Sequence, residues 1–141
     1  MKLLITGATG KFGTKVMEIL LKTVPANQLA VSVRNPEKAE VLRAQGVDVH
    51  QGDFDQPETL DAAFAGVDRL LLISADGDNE TRIRQHANAV AAAERVGVSF
   101  IAYTSLANAQ ESKNLFAPTH QATEAAILKT GIAYSFLRNN W

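Results

Sequence analysis

Three glycines spaced three residues apart stand near the start of the sequence, in the stretch "ITGATGKFGTKV". They follow a short apolar run and precede a segment with the pattern of a helix. In such a strand–turn–helix the first glycine allows a sharp turn, the second admits a pyrophosphate, and the third permits close helix packing. The helix dipole and free amides also favour a diphosphate. We predict a dinucleotide-binding turn, the alternative being a glycine-rich turn without a ligand; its residues are Gly7, Thr9, Gly10, Lys11, Phe12 and Gly13.

The charge at the end of the second apolar run indicates which dinucleotide is preferred. Sites that prefer NAD(H) usually carry an acid there for the ribose hydroxyls. This chain reads "SVRNPEK", with Arg34 in that region. A guanidinium forms a forked, charge-assisted contact with a phosphate, and Lys11 offers a second positive charge. We therefore expect NADP(H) to be preferred over NAD(H), the alternative being that Arg34 and Lys11 are solvated surface residues.

Two further pairs of residues follow predicted strands. Asp53 and Phe54, in "QGDFD", stand where an adenine would lie, so the carboxylate would accept from its amine and the ring would flank it. The alternative is a simple turn with a core aromatic. Ile73 and Ser74 end the fourth run beside the glycine turn, and their backbone is predicted to line the ribose and nicotinamide.

Short apolar runs alternate with longer amphipathic segments along the whole chain, which predicts the elements that position these residues. Strands are predicted at 2–6, 28–33, 47–51, 69–74, 99–104 and 133–137, and helices at 12–23, 36–45, 57–65, 80–96 and 119–130. Strand–helix alternation with short links is typical of an α/β fold with a doubly wound parallel sheet in three layers. We predict one domain over 1–141, with a long loop at 106–118 at the carboxyl edge of the sheet.

The fourth predicted helix shows how the faces are assigned. Its apolar side is predicted to carry Ile83, Ala87, Val90 and Ala91. Its solvated side is predicted to carry Arg82, Arg84 and Glu94. Glycines at 46, 97 and 131 stand where the second, fourth and fifth helices should end.

Composition excludes several classes of protein. The 141 residues carry a net charge of −1, with 46% hydrophobic and 21% charged residues, which is ordinary for a soluble domain and offers no dedicated nucleic-acid surface. The absence of cysteine excludes disulfides, thiolate zinc sites and a cysteine nucleophile. The longest apolar run after the N-terminus, "LLLI", is far too short to span a membrane. We expect a cytoplasmic protein with neither nucleic-acid nor membrane partners.

A family resemblance rests on six blocks that occur in order. They are "TGATGKFG", "SVRNPEKA", "QGDFDQPETL", "LLLIS", "FIAYTSL" and "YSFLRNNW". The chain resembles the NmrA-like atypical short-chain dehydrogenases, and among them the bacterial NAD(P)H:quinone oxidoreductases and triphenylmethane dye reductases. The resemblance implies a Rossmann fold, NADPH as cofactor, no flavin or metal, and hydride delivery to a quinone or similar flat, electron-poor aromatic acceptor.

The chain departs from ordinary short-chain dehydrogenases at the catalytic positions. Ser105 occupies the serine position at the end of the fifth strand, but His120 and Glu124 stand where a tyrosine and a lysine are usual. Tyr103 lies on the strand and does not replace that tyrosine. His120, with an ordinary pKa near 6.5, is a candidate to protonate the reduced quinone or to hydrogen-bond the substrate. The alternative is a structural histidine at a helix start.

Length is the second departure, since family members are about twice as long. The chain is expected to hold the cofactor-binding half and one wall of the substrate site, without the C-terminal substrate region. The last predicted strand would then lie at an exposed edge, which favours homo-oligomerisation. Two other functions remain open: a non-catalytic sensor of NADP(H), and, ranked last because it needs the missing tyrosine, a nucleotide-sugar epimerase or dehydratase.

Overall fold

Six strands and five helices alternate along the chain in a computed structural model, which describes residues 1–109 and 113–139. The strands are β1 (Leu3–Thr6), β2 (Leu29–Val33), β3 (Asp48–Gln51), β4 (Arg69–Leu72), β5 (Phe100–Leu106) and β6 (Ala133–Asn139). The helices are α1 (Lys11–Thr23), α2 (Glu40–Ala44), α3 (Pro57–Phe64), α4 (Asn79–Val96) and α5 (Ala117–Thr130). Two short 3-10 turns, Ala26–Gln28 and Pro36–Ala39, complete the order.

All six strands pair in parallel, in the order β3-β2-β1-β4-β5-β6. The strand order reverses between β1, which pairs with β2 on one side, and β4 on the other. Crevices that bind ligands open at the carboxyl ends of the strands at such a point. The predicted α/β fold with a doubly wound parallel sheet is confirmed.

The sheet is covered on both faces because neighbouring β1 residues point to opposite sides. Leu4 belongs to a core shared with α3, α4 and α5. Ile5 belongs to a second core, which includes Met17 of α1 and Leu42 of α2. These two cores give the predicted three layers.

Helix ends agree with the glycine pattern, but the second helix is shorter than predicted. Gly46, Gly97 and Gly131 all adopt positive φ, which glycine allows without strain. The predicted helix at 36–45 is instead a 3-10 turn followed by the five residues of α2. The reason lies at Ala39, which is buried against the second core and whose φ of −110° and ψ of 17° leave the helical region.

The buried face of α4 also differs from the prediction. It carries Arg82, His86, Ala89, Val90, Ala92 and Ala93. Ala87 is exposed, and Arg82, expected in solvent, is only 6% exposed. Apolar periodicity misplaced the face because two of the residues that it buries are polar and find hydrogen-bond partners inside.

The predicted loop at 106–118 shrinks to the segment between Leu106 and Ala117, of which 110–112 lie outside the described residues. The last two residues of the block "YSFLRNNW" lie outside them as well. No helix in the described part of the chain is long and apolar enough to cross a membrane.

Candidate active site

A first cleft of about 290 Å³ opens at the carboxyl ends of β1, β2, β3 and β4. Five predicted residues line it: Gly7, Thr9, Arg34, Asp53 and Phe54. Six others complete it: Ser32, Val33, Gly52, Ala75, Asp76 and Gln85. The fold thus brings residues at the ends of four strands, together with one residue of α4, to one crevice.

The glycine turn shows why each glycine is present. Gly7 adopts φ +65°, which side chains disfavour. A Cβ on Gly13 would lie 1.9 Å from the carbonyl oxygen of Gly7, so α1 packs against the turn itself. A Cβ on Gly10 would meet only that oxygen, at an ordinary 3.5 Å. The fold tolerates a side chain at Gly10, so packing does not explain this glycine; neither Gly10 nor Gly13 lines the first cleft.

Two buried polar atoms beside the first cleft suit a ligand with hydrogen-bonding groups. Ser32, 5% exposed, has a hydroxyl without a hydrogen-bond partner among the described residues, and the same holds for Oε1 of Gln85. A Cβ on Gly52 would lie 2.4 Å from the Ser32 hydroxyl, so glycine is needed to keep that space. The sequence analysis did not identify these three residues. The available signal was a serine one position before the end of a buried strand.

The predicted charged residues are placed differently from one another. Arg34 is exposed at the end of β2 and forms no hydrogen bond or ion pair within the described ranges, so its guanidinium is available to a ligand. Lys11 begins α1, is exposed and lines neither cleft. Asp53 accepts a hydrogen bond from the amide of Asp55 at 2.9 Å, as in a simple turn. Phe54 both lines the cleft and packs against the core.

A second cleft of about 300 Å³ adjoins the first, with which it shares Ala75 and Asp76. Its lining combines the predicted Phe12, Ile73, Ser74 and His120 with Ala75, Asp76, Gly77, Arg82, Thr104 and Phe116. The segment after β4 therefore separates two cavities that meet along one edge.

His120 is buried in this second cleft and hydrogen-bonded through Nδ1 to the Tyr103 hydroxyl at 2.7 Å. Burial, assisted by the charge of Arg82, lowers the pKa of His120 to about 4. Burial also raises the pKa of Tyr103 to about 12. At neutral pH the imidazole is uncharged and the phenol protonated, because the pKa of His120 lies below the ordinary 6.5 and that of Tyr103 lies above 10.

His86, fully buried on α4, fixes the segment shared by the two clefts. Its Nε2 accepts from the amide of Ala75 at 2.9 Å, so its Nδ1 carries the proton and donates to Thr123 Oγ1 at 2.9 Å. Thr123 in turn donates to the carbonyl of Thr119. Burial, with the charges of Arg82 and His120, lowers the pKa of His86 to about 3.

Arg82 is a site residue that sequence reasoning placed in solvent. Its Nη2 donates to the Ser74 hydroxyl, and its guanidinium lies 4.9 Å from the centre of the Phe116 ring. Burial lowers the pKa of Arg82, and electrostatic interactions with Tyr103 and Asp76 raise it by less. The signal available in sequence was its place in the first turn of the helix that follows the central strand.

Ser105 is not brought to either cleft. Its hydroxyl is buried and donates to Oε2 of Glu124 at 2.6 Å, and Glu124 forms an ion pair with Arg138 at 2.9 Å. The residue at the usual lysine position thus holds the serine in a contact between β5, α5 and β6.

Parallel strands in this order, with a glycine turn and a crevice where the order reverses, define a dinucleotide-binding Rossmann protein. The chain belongs to the NAD(P)H-binding family, whose model matches residues 7–141.

Relatives carry the comparison further. The chain is 48% identical to quinone oxidoreductase 2 of Escherichia coli over 97% of its own length and 48% of that protein. It is 51% identical to triphenylmethane reductase of Citrobacter sp., solved with NADP(H), with a TM-score of 0.95 over 99% of this chain and 49% of that one. An E. coli NADPH-dependent quinone oxidoreductase solved with NADPH is 47% identical, with a TM-score of 0.94 and the same coverage. The chain thus spans about half the length of the relatives it matches.

Proposed function

We propose that the protein is an NAD(P)H-dependent oxidoreductase that transfers a hydride from NADPH to a quinone or similar electron-poor aromatic acceptor. The observation that carries the proposal is the pair of adjoining clefts, one glycine-lined with a free arginine and the other rimmed by aromatic rings. The similarity to NADPH-dependent quinone oxidoreductases and to triphenylmethane reductase supports it.

The first cleft fits the dinucleotide. We assign the diphosphate to the turn of Gly7, Thr9, Gly10 and Gly13, with Lys11 and Phe12 at the start of α1. Arg34 would bind the phosphate that distinguishes NADP(H) from NAD(H), because a guanidinium pairs with phosphate through two parallel hydrogen bonds. Asp53 and Phe54 would hold the adenine. The dinucleotide would extend into the second cleft, where Ile73 and Ser74 would line the ribose and nicotinamide.

The second cleft fits the reaction itself. When bound, the reduced nicotinamide supplies a hydride. Phe12 and Phe116, 55% and 41% exposed at the rim, offer apolar faces to a flat ring. His120, uncharged at neutral pH, would hydrogen-bond the acceptor, and a proton from water would complete the reduction. No tyrosine–lysine pair is needed because an electron-poor aromatic acceptor delocalises the incoming charge.

The extent of the site within this chain is also a proposal. Residues 1–141 would form one NAD(P)-binding domain that carries the cofactor and one wall of the acceptor site. Strand β6 lies at the sheet edge with Tyr134 and Leu137 about half exposed, so we propose pairing with a second copy there. A cytoplasmic location stays part of the proposal. Nothing in the described residues or in these relatives favours the sensor or epimerase alternatives.

A thermal-denaturation titration with NADPH and NADH tests the cofactor assignment. A ligand at 100 times its dissociation constant adds about 2.7 kcal/mol to the free energy of unfolding. We expect stabilisation by NADPH at concentrations where NADH has little effect. Arg34→Ser should weaken NADPH binding by roughly tenfold to a hundredfold, the value of a hydrogen bond to a charged group, and leave NADH binding unchanged.

Arg43→Ser is the matched control, since Arg43 is exposed on α2 and, among the described residues, forms an ion pair only with Glu40. NADPH oxidation in the presence of naphthoquinone then tests the reaction. Equal affinity for both dinucleotides would contradict the Arg34 assignment, and tight NADPH binding without quinone-dependent oxidation would contradict the enzymatic proposal in favour of a sensor.

A further inference from the structure

Arg82 is a buried cation that forms no direct ion pair with a carboxylate among the described residues. It is 6% exposed, yet none of the ion pairs among residues 1–109 and 113–139 includes it. Asp76 influences it only through its charge. Arginines are almost never this buried unless they are paired, because removing an ion from water costs several kcal/mol.

The hydrogen bonds of the Arg82 guanidinium are incomplete as well. Its Nη2 donates to Ser74, but its buried Nε has no hydrogen-bond acceptor in the described part of the chain. The neutral hydroxyl of Ser74 and the ring face of Phe116 offset only part of the free-energy cost of removing a full charge from water. An anionic oxygen would therefore stabilise both the charge of Arg82 and its unpaired N–H donor.

The position of Arg82 indicates which oxygen that is. Its side chain lines the second cleft together with Phe12, Phe116 and His120, and Ser74 lies on the segment that joins this cleft to the dinucleotide cleft. An oxygen on a flat aromatic molecule in the second cleft would lie within reach of a cation already fixed by packing. A donor held in place in this way stabilises developing charge without reorganising.

We propose that Arg82 is a catalytic residue that binds the carbonyl oxygen of the acceptor and stabilises the negative charge that this oxygen gains during hydride transfer. The inference rests on the proposed function and extends it to the group that recognises the acceptor. The acceptor receives a hydride, that is one proton and two electrons, from the reduced nicotinamide, which is oxidised in the same step. The acceptor oxygen left with a negative charge then takes one proton from water.

The recognition chemistry predicts a preference that the unmodified protein can reveal. A hydroxynaphthoquinone such as lawsone is an anion at neutral pH and resembles the charged reduced acceptor, whereas naphthoquinone is neutral. We expect the protein saturated with NADP+ to bind the anion roughly tenfold to a hundredfold more tightly than the neutral quinone, measured by calorimetry. Equal or tighter binding of the neutral quinone would overturn the role of Arg82.

Substitutions locate that preference on Arg82. Arg82→Met keeps roughly the volume of the side chain but removes its charge. Arg82→Lys keeps the charge but removes the planar pair of N–H donors. We expect Arg82→Met to remove the preference for the anion and to lower kcat/KM for naphthoquinone by roughly a hundredfold, with a much smaller change in NADPH affinity. Arg82→Lys should retain part of both. Arg95→Met, on the same helix in an exposed pair with Asp61, is the control and should match the unmodified protein.

Circular dichroism and thermal denaturation establish that each variant is folded before its binding is measured. If Arg82→Met does not fold, Arg82→Lys and the anion preference of the unmodified protein still decide the question. Quinone-dependent NADPH oxidation that is unchanged in folded Arg82 variants would overturn the role of Arg82 and keep the proposed function. Arg82-dependent anion binding without any NADPH oxidation would overturn the proposed function and leave Arg82 as an anion site.

Discussion

At the scale of single residues, burial decides which charges this site carries. His86 and His120 are fully buried beside Arg82, so both are neutral at a pH where an exposed histidine would be partly charged. Arg82 keeps the positive charge in the same region. The second cleft therefore presents the Arg82 cation and the acidic side chain of Asp76 beside neutral hydrogen-bonding groups.

The histidines predict how stability depends on pH. Their pKa values in the folded protein, about 3 and about 4, lie below the ordinary 6.5. At a pH between the folded and the ordinary pKa values, the unfolded chain binds more protons than the folded protein. The free energy of unfolding should therefore fall as pH drops below 6.5. The fall should approach about 1.4 kcal/mol per pH unit for each histidine. Urea denaturation at pH 7, 6 and 5 measures it, and a flat profile would contradict the buried neutral state.

The proposed role of His120 in the reaction can be tested. His120→Ala would remove the proposed hydrogen bond to the acceptor, and His120 does not line the first cleft. We therefore expect kcat to fall by roughly tenfold with little change in the dissociation constant of NADPH. Stopped-flow oxidation and a fluorescence titration of NADPH give the two values. His50→Ala, a substitution of a histidine outside both clefts, is the control. Unchanged kcat in a folded variant would leave His120 with a structural role only.

At the scale of elements, we expect two glycines of the turn to have different roles, Gly13 in folding and Gly10 in ligand binding. A methyl group on Gly13 would meet the backbone of the turn at 1.9 Å, whereas one on Gly10 finds ordinary space. We expect Gly13→Ala to lower the free energy of unfolding by about 1–3 kcal/mol, as overpacking does. Gly10→Ala should leave stability within about 0.5 kcal/mol of the unmodified protein but weaken NADPH binding. Equal stability of the two variants would contradict this division.

A second group of contacts joins α5 to the edge of the sheet. Glu124 accepts from Ser105 and pairs with Arg138, which links α5 to β5 and β6. Glu124→Gln should lower the free energy of unfolding by about 1–3 kcal/mol, because a buried hydrogen-bonded charge is lost while half-exposed Arg138 returns to water. Ser105→Ala should reduce quinone reductase activity little, since its hydroxyl lies outside the clefts. Thermal denaturation and steady-state kinetics measure the two effects.

At the scale of the whole molecule, sheet topology brings the site together. The reversal of strand order between β1 and β4 opens the crevice, and the segment after β4 divides it into two clefts. Among the described residues, the same topology leaves β6 at an edge of the sheet, paired only with β5, and its exposed apolar side chains favour pairing with a further strand.

The exposed edge predicts self-association. Leu137→Lys places a charge on β6 and should shift the protein towards monomer, because edge charges oppose strand pairing. Sedimentation equilibrium over a range of concentrations measures the shift. Leu128→Lys, at an equally exposed position on α5, is the control and should leave the association unchanged. A monomer at all concentrations in the unmodified protein would contradict the edge pairing.

The sequence by itself determined the fold and the first cleft to a large extent. Apolar runs and helix-ending glycines predicted the alternation of strands and helices, because burial of a parallel sheet and positive φ leave local marks. The turn around Gly7 and Arg34 could be singled out for the same reason, since both lie within a few residues of a strand end, and both line the first cleft.

Only the tertiary structure decided the second cleft. The helix pattern placed Arg82 in solvent and did not single out His86. Both are buried once α4 packs on the sheet, where Ser74, Ala75 and Thr123 supply their hydrogen-bond partners. Ser105 matched a catalytic position in sequence, yet in the structure its hydroxyl donates to Glu124 and lies outside the two clefts. Hydrogen bonds between segments tens of residues apart, and the burial that shifts a pKa, leave no local pattern; they exist only once the chain is folded.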